Sequence, residues 1–195
     1  MKYENSLEFA QNMDQEDPLS HWRQEFHFPQ VNGQDAYYFT GNSLGLQPKR
    51  TRAFIEEEMK KWETYAVEGH FKPEKPWLKF HEQSKSALAK IVGAKPLEVV
   101  SMNNLSVNLH LLMVSFYRPT EKRFKIICEA GAFPSDQYMF ESQLKFHGLN
   151  PEEALIEIAP RSGENTLRTE DITQKIEEMG DHLALVLFGG LQYYT

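Results

Sequence analysis

Apolar positions along this chain fall into short continuous runs and longer stretches with helical spacing. The short runs predict buried strands, which we place at 36–40, 97–101, 124–128, 154–158 and 182–188. Apolar residues recurring every three or four positions predict a helix over 48–66, and the nearly continuous apolar sequence of 107–116 predicts a buried helix. We place further helices at 77–91, 135–147 and 168–179. Strands that alternate with helices indicate an α/β fold with a mainly parallel sheet flanked by helices.

The most apolar of these runs is 182–188, which reads His-Leu-Ala-Leu-Val-Leu-Phe. Strands covered on both faces have such continuous apolar sequences, so we expect it at the centre of the sheet. A run at 97–101 needs neighbouring strands as well, because an open apolar edge promotes aggregation.

The charge composition of the chain argues against some classes of binding partner. The chain has 195 residues, long enough for one or two domains, with 21 basic against 28 acidic side chains and a net charge of −7. This balance argues against nucleic acid and anionic membranes as partners. No apolar run approaches the ~18 residues of a membrane span, and no signal-peptide core follows the first residues. We therefore expect a cytoplasmic protein.

Cysteine and histidine give no sign of a metal site or a disulfide. The single cysteine, Cys128, lies in a predicted strand and is better explained as a buried residue than as a nucleophile. His81-Glu82 begins like a zinc motif, but Lys85 stands where the second histidine is needed. The sequence predicts no metal.

Two predicted strand–turn–helix units carry the candidate chemistry. Asn103, Asn104 and Ser106 precede the helix over 107–116, and such residues cap helix starts, where backbone N–H groups can bind an anion such as phosphate. In the next unit a Gly-Ala turn leads to Pro134, a residue that suits the first helical turn. Ligands of open parallel sheets bind where such strands end.

Three segments at 41–48 (Gly-Asn-Ser-Leu-Gly-Leu-Gln-Pro), 104–113 (Asn-Leu-Ser-Val-Asn-Leu-His-Leu-Leu-Met) and 132–136 (Ala-Phe-Pro-Ser-Asp) resemble kynureninase. Kynureninases are pyridoxal-phosphate enzymes of the aspartate-aminotransferase fold, fold type I. The likeness extends over 38–195 and implies the N-terminal part of such a protein. It implies an N-terminal arm over 1–47, which in the family packs with the small domain, and an incomplete cofactor-binding large domain over 48–195.

The resemblance also implies roles for individual residues. Leu105 and Ser106 would bind the phosphate of pyridoxal 5'-phosphate through backbone N–H groups, and Phe133 would stack on its pyridine ring. The remaining cofactor-binding positions implied are Pro134, Ser135, Asp136 and Gly189. Gly189 departs from the family, which commonly has a serine near the phosphate there. Ordinary structural roles remain open for Phe133 as a core residue and for Asp136 as a helix-start carboxylate.

Ser43 and His70 are the substrate-binding positions that the resemblance implies. Ser43 would line the pocket and His70 would lie near the aromatic ring of the substrate. A plain turn at Ser43 and an exposed or structural histidine at His70 are the alternatives.

The activity implied is hydrolysis of L-kynurenine or 3-hydroxykynurenine to alanine and anthranilate or 3-hydroxyanthranilate, in tryptophan degradation and NAD biosynthesis. The family is homodimeric, so a homodimer with a small-molecule substrate is expected. However, no lysine here has the sequence context of the family's Schiff-base lysine, and the family's Asp-x-x-His segment is missing too. The chain thus contains no catalytic residue by this resemblance, and we expect the isolated 195 residues to be inactive.

Two alternatives stay open. A related pyridoxal-phosphate enzyme, such as a cysteine desulfurase or another class V aminotransferase-like protein, would share the fold. Alternatively, the chain is a truncated fragment without catalysis, which is either an inactive fragment or a binding partner.

Overall fold

The chain is divided into two compact units, Met1–Gln83 and Ser84–Thr195. The structure, a computed structural model, describes residues 3–192. Residues 1, 2 and 193–195, the outer ends of the two domains proposed from the sequence, lie outside the described residues. The domain boundary proposed after residue 47 stays a prediction.

The described residues of the first unit form two α-helices, three 3-10 helices and one hairpin. Its elements are α1 (Leu7–Glu16), β1 (Gln30–Val31), β2 (Gln34–Asp35) and α2 (Thr51–Tyr65), with 3-10 helices at Ser20–Glu25, Ala66–His70 and Trp77–Glu82. The prediction of a strand over 36–40 is wrong, since this segment pairs with no other strand. The hairpin forms just before it because Asn32 (φ 52°) and Gly33 (φ 77°) adopt the left-handed backbone of a tight β-turn.

The second unit contains the sheet. Its elements are α3 (Lys85–Val92), α4 (Leu105–Phe116), β3 (Lys125–Glu129), α5 (Pro134–Phe146), α6 (Pro151–Ala154), β4 (Leu155–Ile158), α7 (Thr169–Met179) and β5 (Leu183–Leu187), with 3-10 helices at Pro96–Glu98 and Gly180–His182. The three strands are parallel in the order β4-β3-β5. The α/β class with a parallel sheet and flanking helices is therefore confirmed. The single helix predicted over 77–91 is instead two elements, the 3-10 helix Trp77–Glu82 and α3, which are separated by a turn at residues 83 and 84.

Strand β3, rather than β5, occupies the centre of the described sheet. Ile126 and Ile127 have no exposed surface, whereas Val186 of β5 is 40% exposed. The expectation that the most apolar run lies centrally is wrong for the described residues, because β5 has a hydrogen-bonded neighbour on one side only.

The strand predicted over 97–101 is also absent. A 3-10 helix covers Pro96–Glu98, and Val99 then has extended backbone (φ −123°, ψ 137°) that belongs to no strand among the described residues. Apolar sequence favours extended backbone, but a strand forms only when another strand supplies hydrogen bonds.

The core of the second unit lies between β3 and the helices α4 and α5. Met113 of α4 and Tyr117, the residue that caps the end of α4, pack with Met139, Phe140 and Leu144 of α5. The Tyr117 hydroxyl donates to the carbonyl oxygen of Phe124 at 2.5 Å, and burial raises the pKa of Tyr117 to about 12. This bond holds the end of α4 beside the residue that precedes β3.

Cys128 is a core residue, 1% exposed, as the sequence indicated. Burial, together with the charges of Glu157 and Glu129, raises the pKa of its thiol from 9.0 to about 12. Only the thiolate is nucleophilic, so at pH 8 we expect the folded chain to react with a thiol reagent about 1,000-fold more slowly than the urea-unfolded chain. Equal rates would contradict this burial.

The same thiol links stability to alkaline pH. Its pKa is higher in the folded than in the unfolded chain, so unfolding releases the proton once the pH exceeds the unfolded value. Stability is retained below about pH 9 and falls toward pH 12. A Cys128→Ala variant, compared with the parent by urea unfolding at each pH, should show a shallower decline.

Candidate functional site

The start of α4 lies toward the carboxyl edge of the sheet. Its last turn is held at the amino end of β3 by the bond from Tyr117 to Phe124. A helix of 12 residues is about 18 Å long and a strand of five residues about 17 Å, so the two elements span similar lengths. Since α5 begins shortly after β3 ends, both helices begin on the side where ligands of parallel sheets bind.

The first turn of α4 offers two backbone donors. Asn104 caps the helix, and its Oδ1 accepts from the backbone N–H of Val107 at 3.0 Å. The backbone N–H groups of Leu105 and Ser106 have no acceptor among residues 3–192. Ser106 is half-buried. The arrangement is that of an anion site at a helix N-terminus.

The loop before this turn is braced by amide side chains. Asn103 has left-handed backbone (φ 41°), and its Nδ2 donates to Oδ1 of Asn108 at 3.3 Å. The Nδ2 of Asn108 donates in turn to the carbonyl oxygen of Met102 at 2.9 Å. These bonds fix the path of the chain into α4, so the two donors are held in position before any anion binds.

The second cluster lies where α5 begins. Phe133 caps α5 and is 55% exposed, and its carbonyl oxygen accepts from the backbone N–H of Asp136 at 2.8 Å. Pro134 occupies the first helical turn, and the Ser135 hydroxyl donates to the Asp136 carboxylate at 3.3 Å. The Phe133 side chain is thus largely exposed rather than buried in the core, while Asp136 also suits the helix dipole.

A cavity of about 510 Å³ opens at the carboxyl ends of β3, β4 and β5. Its lining includes Glu129, Gly131, Ile158, Glu164, Phe188 and Gly189. Of the predicted site residues, all of which lie in the described chain, Gly189 alone lines this cavity. The structure therefore brings Gly189 to the sheet edge but does not gather all predicted cofactor residues around one pocket.

Close contacts around position 189 explain why a glycine fits there. A Cβ there would lie 3.2 Å from the Leu191 carbonyl oxygen and 3.3 Å from Oε1 of Glu129. The other carboxylate oxygen of Glu129 accepts from Nε2 of Gln192 at 3.3 Å. A larger side chain at this position, such as the serine that the resemblance implies, would therefore crowd the contact between β3 and the segment after β5.

The sequence analysis did not predict the two glutamates that line this cavity, Glu129 and Glu164, which we call its acidic wall. Glu129 could have been found, because it directly follows the strand predicted over 124–128 and strand ends line ligand sites. Glu164 lies in a loop without a motif. A hydrogen bond from Arg168 lowers the pKa of Glu164, so this wall carries a carboxylate already paired with an arginine.

Ser43 and His70 both lie in the first unit. Ser43 is exposed in a turn where its backbone N–H donates to the Thr40 carbonyl oxygen at 3.0 Å. His70 is exposed at the end of a 3-10 helix, with its ring centroid 5.3 Å from that of Trp77 in an edge-to-face contact. No hydrogen bond or ring contact of the described residues joins Ser43 to His70, and their substrate roles stay predictions.

The ring of His70 packs against the indole of Trp77, which hydrogen bonds hold in place. The indole N–H of Trp77 donates to Glu58 at 2.7 Å, and Lys61 donates to the other carboxylate oxygen at 2.6 Å. The hydrogen bond from Lys61 is the first cause that lowers the pKa of Glu58, followed in the same direction by that from Trp77. These bonds fix the indole against which the His70 ring packs.

Gly69, next to His70, is buried against the same indole, and a Cβ there would lie 2.7 Å from ring carbons of Trp77. We expect Gly69→Ala to displace Trp77 and lower the free energy of unfolding by about 1–3 kcal/mol. Urea unfolding followed by tryptophan fluorescence measures this. Gly45→Ala is the matched control, since a Cβ at Gly45 meets nothing within 4 Å; equal midpoints would contradict the close contact.

Within residues 3–192, no cluster of three metal-ligating side chains is present, and none of the helices combines the length and apolar character needed to cross a membrane. No protein-family model matches the chain.

Comparison with curated proteins gives a uniform result. Over its whole length the chain is 61% identical to a kynureninase from Flavobacterium psychrophilum, covering 46% of that protein. It is 54% identical to a kynureninase from Myxococcus xanthus over 99% of the chain and 46% of the relative. It is 50% identical to a kynureninase from Nematostella vectensis over 97% of the chain and 43% of the relative. The predicted resemblance is confirmed, and the chain spans about half the length of the curated relatives it matches.

Proposed function

We propose that this chain, similar to kynureninases over its whole length, forms the phosphate-binding and ring-stacking side of a kynureninase-type pyridoxal-phosphate site. The observation that carries the proposal is the pair of backbone donors at Leu105 and Ser106, which have no acceptor among the described residues. They occur within the segment that matches the relatives and at the edge of the sheet where ligands bind.

The residues present fit the cofactor in two respects. A phosphate dianion suits the helix start, because two N–H groups, the Ser106 hydroxyl and the helix dipole all favour negative charge there. The exposed ring of Phe133 provides an apolar face against which a pyridine ring can stack. When bound, pyridoxal phosphate supplies an electron-withdrawing ring that assists cleavage of bonds in an amino-acid substrate.

This chain's own residues would bind and orient rather than carry out the covalent step. Leu105 and Ser106 would hold the phosphate, and Phe133 would fix the plane of the ring, with Pro134, Ser135, Asp136 and Gly189 completing the cofactor contacts. Ser43 and His70 would orient the aryl ketone of the substrate.

The activity of the whole protein follows as part of the same proposal. It would hydrolyse L-kynurenine or 3-hydroxykynurenine between Cβ and Cγ, releasing alanine and an anthranilate, as a cytoplasmic homodimer. The Schiff-base lysine would come from the part of a kynureninase-length protein that this chain does not match. The relatives favour this activity over that of a cysteine desulfurase or another class V enzyme, because they are named kynureninase.

Leu105→Pro tests the donor at the helix start. Proline is tolerated at the first helical position, and the extended backbone of Asn104 (φ −91°, ψ 170°) suits a residue before proline. The variant thus removes one N–H donor while keeping the helix. Losing a hydrogen bond to a charged group costs about 1.5–3 kcal/mol, so we expect affinity for pyridoxal phosphate to fall about 10- to 100-fold.

Leu105→Ala is the matched control, because it removes the same side chain but retains the N–H group. Titration calorimetry with pyridoxal phosphate, and with pyridoxal lacking the phosphate, gives the readout. Pyridoxal should bind both variants equally. Equal phosphate-dependent affinity of Leu105→Pro and Leu105→Ala would contradict the proposed site.

A further inference from the structure

The hairpin of β1 and β2 turns at an Asn-Gly pair, and every residue of the hairpin is exposed. Asn32 (φ 52°) and Gly33 (φ 77°) form the turn, between Val31 and Gln34. In such a pair the backbone nitrogen of the glycine and the side-chain amide carbon of the asparagine are separated by the atoms of a five-membered ring. An internal reaction between Cγ of Asn32 and the nitrogen of Gly33 therefore needs no other group of the protein.

The backbone nitrogen of Gly33 is accessible to that carbon. Its N–H group donates to no acceptor among residues 3–192, so no hydrogen bond holds its proton or its direction. Glycine has no Cβ, and even a Cβ built at Gly33 would meet nothing within 4 Å. Neither a side chain at position 33 nor a neighbouring atom therefore blocks the approach of the nitrogen to Cγ.

Asn42 provides an internal comparison, because it too is exposed in a turn and precedes a small residue, Ser43. The nitrogen of Ser43, however, donates to the carbonyl oxygen of Thr40 at 3.0 Å. This hydrogen bond retains the proton and fixes the nitrogen in the turn, and the serine side chain adds bulk beside it. The nitrogen that would react is thus free after Asn32 and hydrogen-bonded after Asn42.

The hairpin is also small enough to open locally. Each of its strands has two residues, and a two-stranded hairpin is marginally stable by itself. Its ties include a bond from Nε2 of Gln30 to Asp35 at 2.6 Å and one from the Ala36 N–H to the Pro29 carbonyl oxygen at 2.8 Å. Segments with so few exposed bonds open far more often than the whole chain unfolds. Opening gives the Asn32 backbone the freedom that ring closure needs.

We propose that Asn32 is a site of spontaneous deamidation, which converts it to isoaspartate and aspartate. The nitrogen of Gly33 gives its proton to water or hydroxide and bonds to Cγ of Asn32, while the bond from Cγ to Nδ2 breaks and ammonia leaves. Water then opens the five-membered imide. Attack at Cγ gives aspartate with the normal backbone, whereas attack at the main-chain carbonyl carbon gives isoaspartate, whose backbone passes through Cβ and Cγ. Water is the only co-reactant, and the chain exchanges one ammonia for one water.

Isoaspartate inserts an extra carbon into the backbone of a two-residue turn. Because the length of a turn sets the register of its hairpin, the paired strands no longer match. Asp35 then separates from Gln30 and from Arg23, whose Nη2 lies 3.5 Å from the Asp35 carboxylate. The modification therefore loosens residues 30–35 and adds a negative charge to a chain whose net charge is −7.

The folded 195-residue chain is incubated at pH 7, 8 and 9, and its peptides are followed by mass spectrometry with separation of the isoaspartyl and aspartyl forms. We expect the peptide with Asn32 to gain one dalton before the peptide with Asn42, and both product forms to occur at position 32. The rate should rise about tenfold per pH unit, because the deprotonated fraction of a group far below its pKa rises by that factor. The Ala36 amide should lose protection from hydrogen exchange in the isoaspartyl chains.

Asn32→Gly is the matched control, because glycine adopts the positive φ of the turn but has no amide carbon to react. It should gain no mass at position 32 under the same conditions. Asn32→Asp carries the added charge without the extra backbone carbon, so its Ala36 amide should stay protected. Earlier modification of Asn42 than of Asn32, or a rate at Asn32 that does not change with pH, would overturn the inference. No cofactor or substrate takes part, so the result is independent of the proposed function.

Discussion

The 195-residue chain is expected to release no anthranilate from L-kynurenine, even when saturated with pyridoxal phosphate. A pyridoxal-phosphate enzyme needs a phosphate site, a stacking ring, an acid for the pyridine nitrogen and a lysine that bonds the cofactor. The described chain offers candidates for the first two, in Ser106 and Phe133. Without the lysine the covalent route is lost, and losing such a group removes most of the rate enhancement.

Anthranilate fluorescence measures the turnover, with the full-length Flavobacterium psychrophilum kynureninase as positive control. The intact mass of the polypeptide must be verified in the same sample, so that a longer species does not account for activity. Turnover of kynurenine by a verified 195-residue chain would show that the lysine assignment is wrong. Alanine release from cysteine would instead favour the desulfurase alternative.

Phe140→Ala is expected to lower the free energy of unfolding by about 3–5 kcal/mol. Phe140 is 1% exposed and packs in the core between β3, α4 and α5. Removing its ring leaves a cavity in that core. Because the whole free energy of unfolding of a domain is about 5–15 kcal/mol, one such change removes a large share of it.

Phe146→Ala, on the same helix, provides the comparison. Phe146 is 79% exposed, so its truncation should change the free energy of unfolding by less than about 0.5 kcal/mol. Urea unfolding followed by far-UV circular dichroism gives both values. Similar destabilisation by the two substitutions would mean that the core does not lie between α4, α5 and β3.

Local signals predicted the elements of the candidate site well. The turn-forming residues before α4 gave its start to within two residues, and Asn104 does cap it through its side chain. Pro134 correctly marked the start of α5. Such signals are readable because a cap or a proline acts on backbone groups within one helical turn.

Non-local pairing was predicted less well. The apolar runs at 36–40 and 97–101 do not form strands, and the most apolar run lies at the edge of the described sheet. The cavity beside Glu129 and Gly189 was not predicted as a unit either, because its walls come from three strands and a loop far apart in the chain.

The sequence by itself determined the α/β class, the helix starts at α4 and α5 and the resemblance that assigns residues to a cofactor site. Each of these depends on neighbours along the chain or on ordered motifs. Only the tertiary structure decided that β3 is central, that Gly189 adjoins Glu129 and that Leu111 and Leu112 of α4 are exposed. The physical reason is that sheet order and burial depend on which distant segments supply hydrogen bonds and apolar contacts, and an apolar run does not specify its partner.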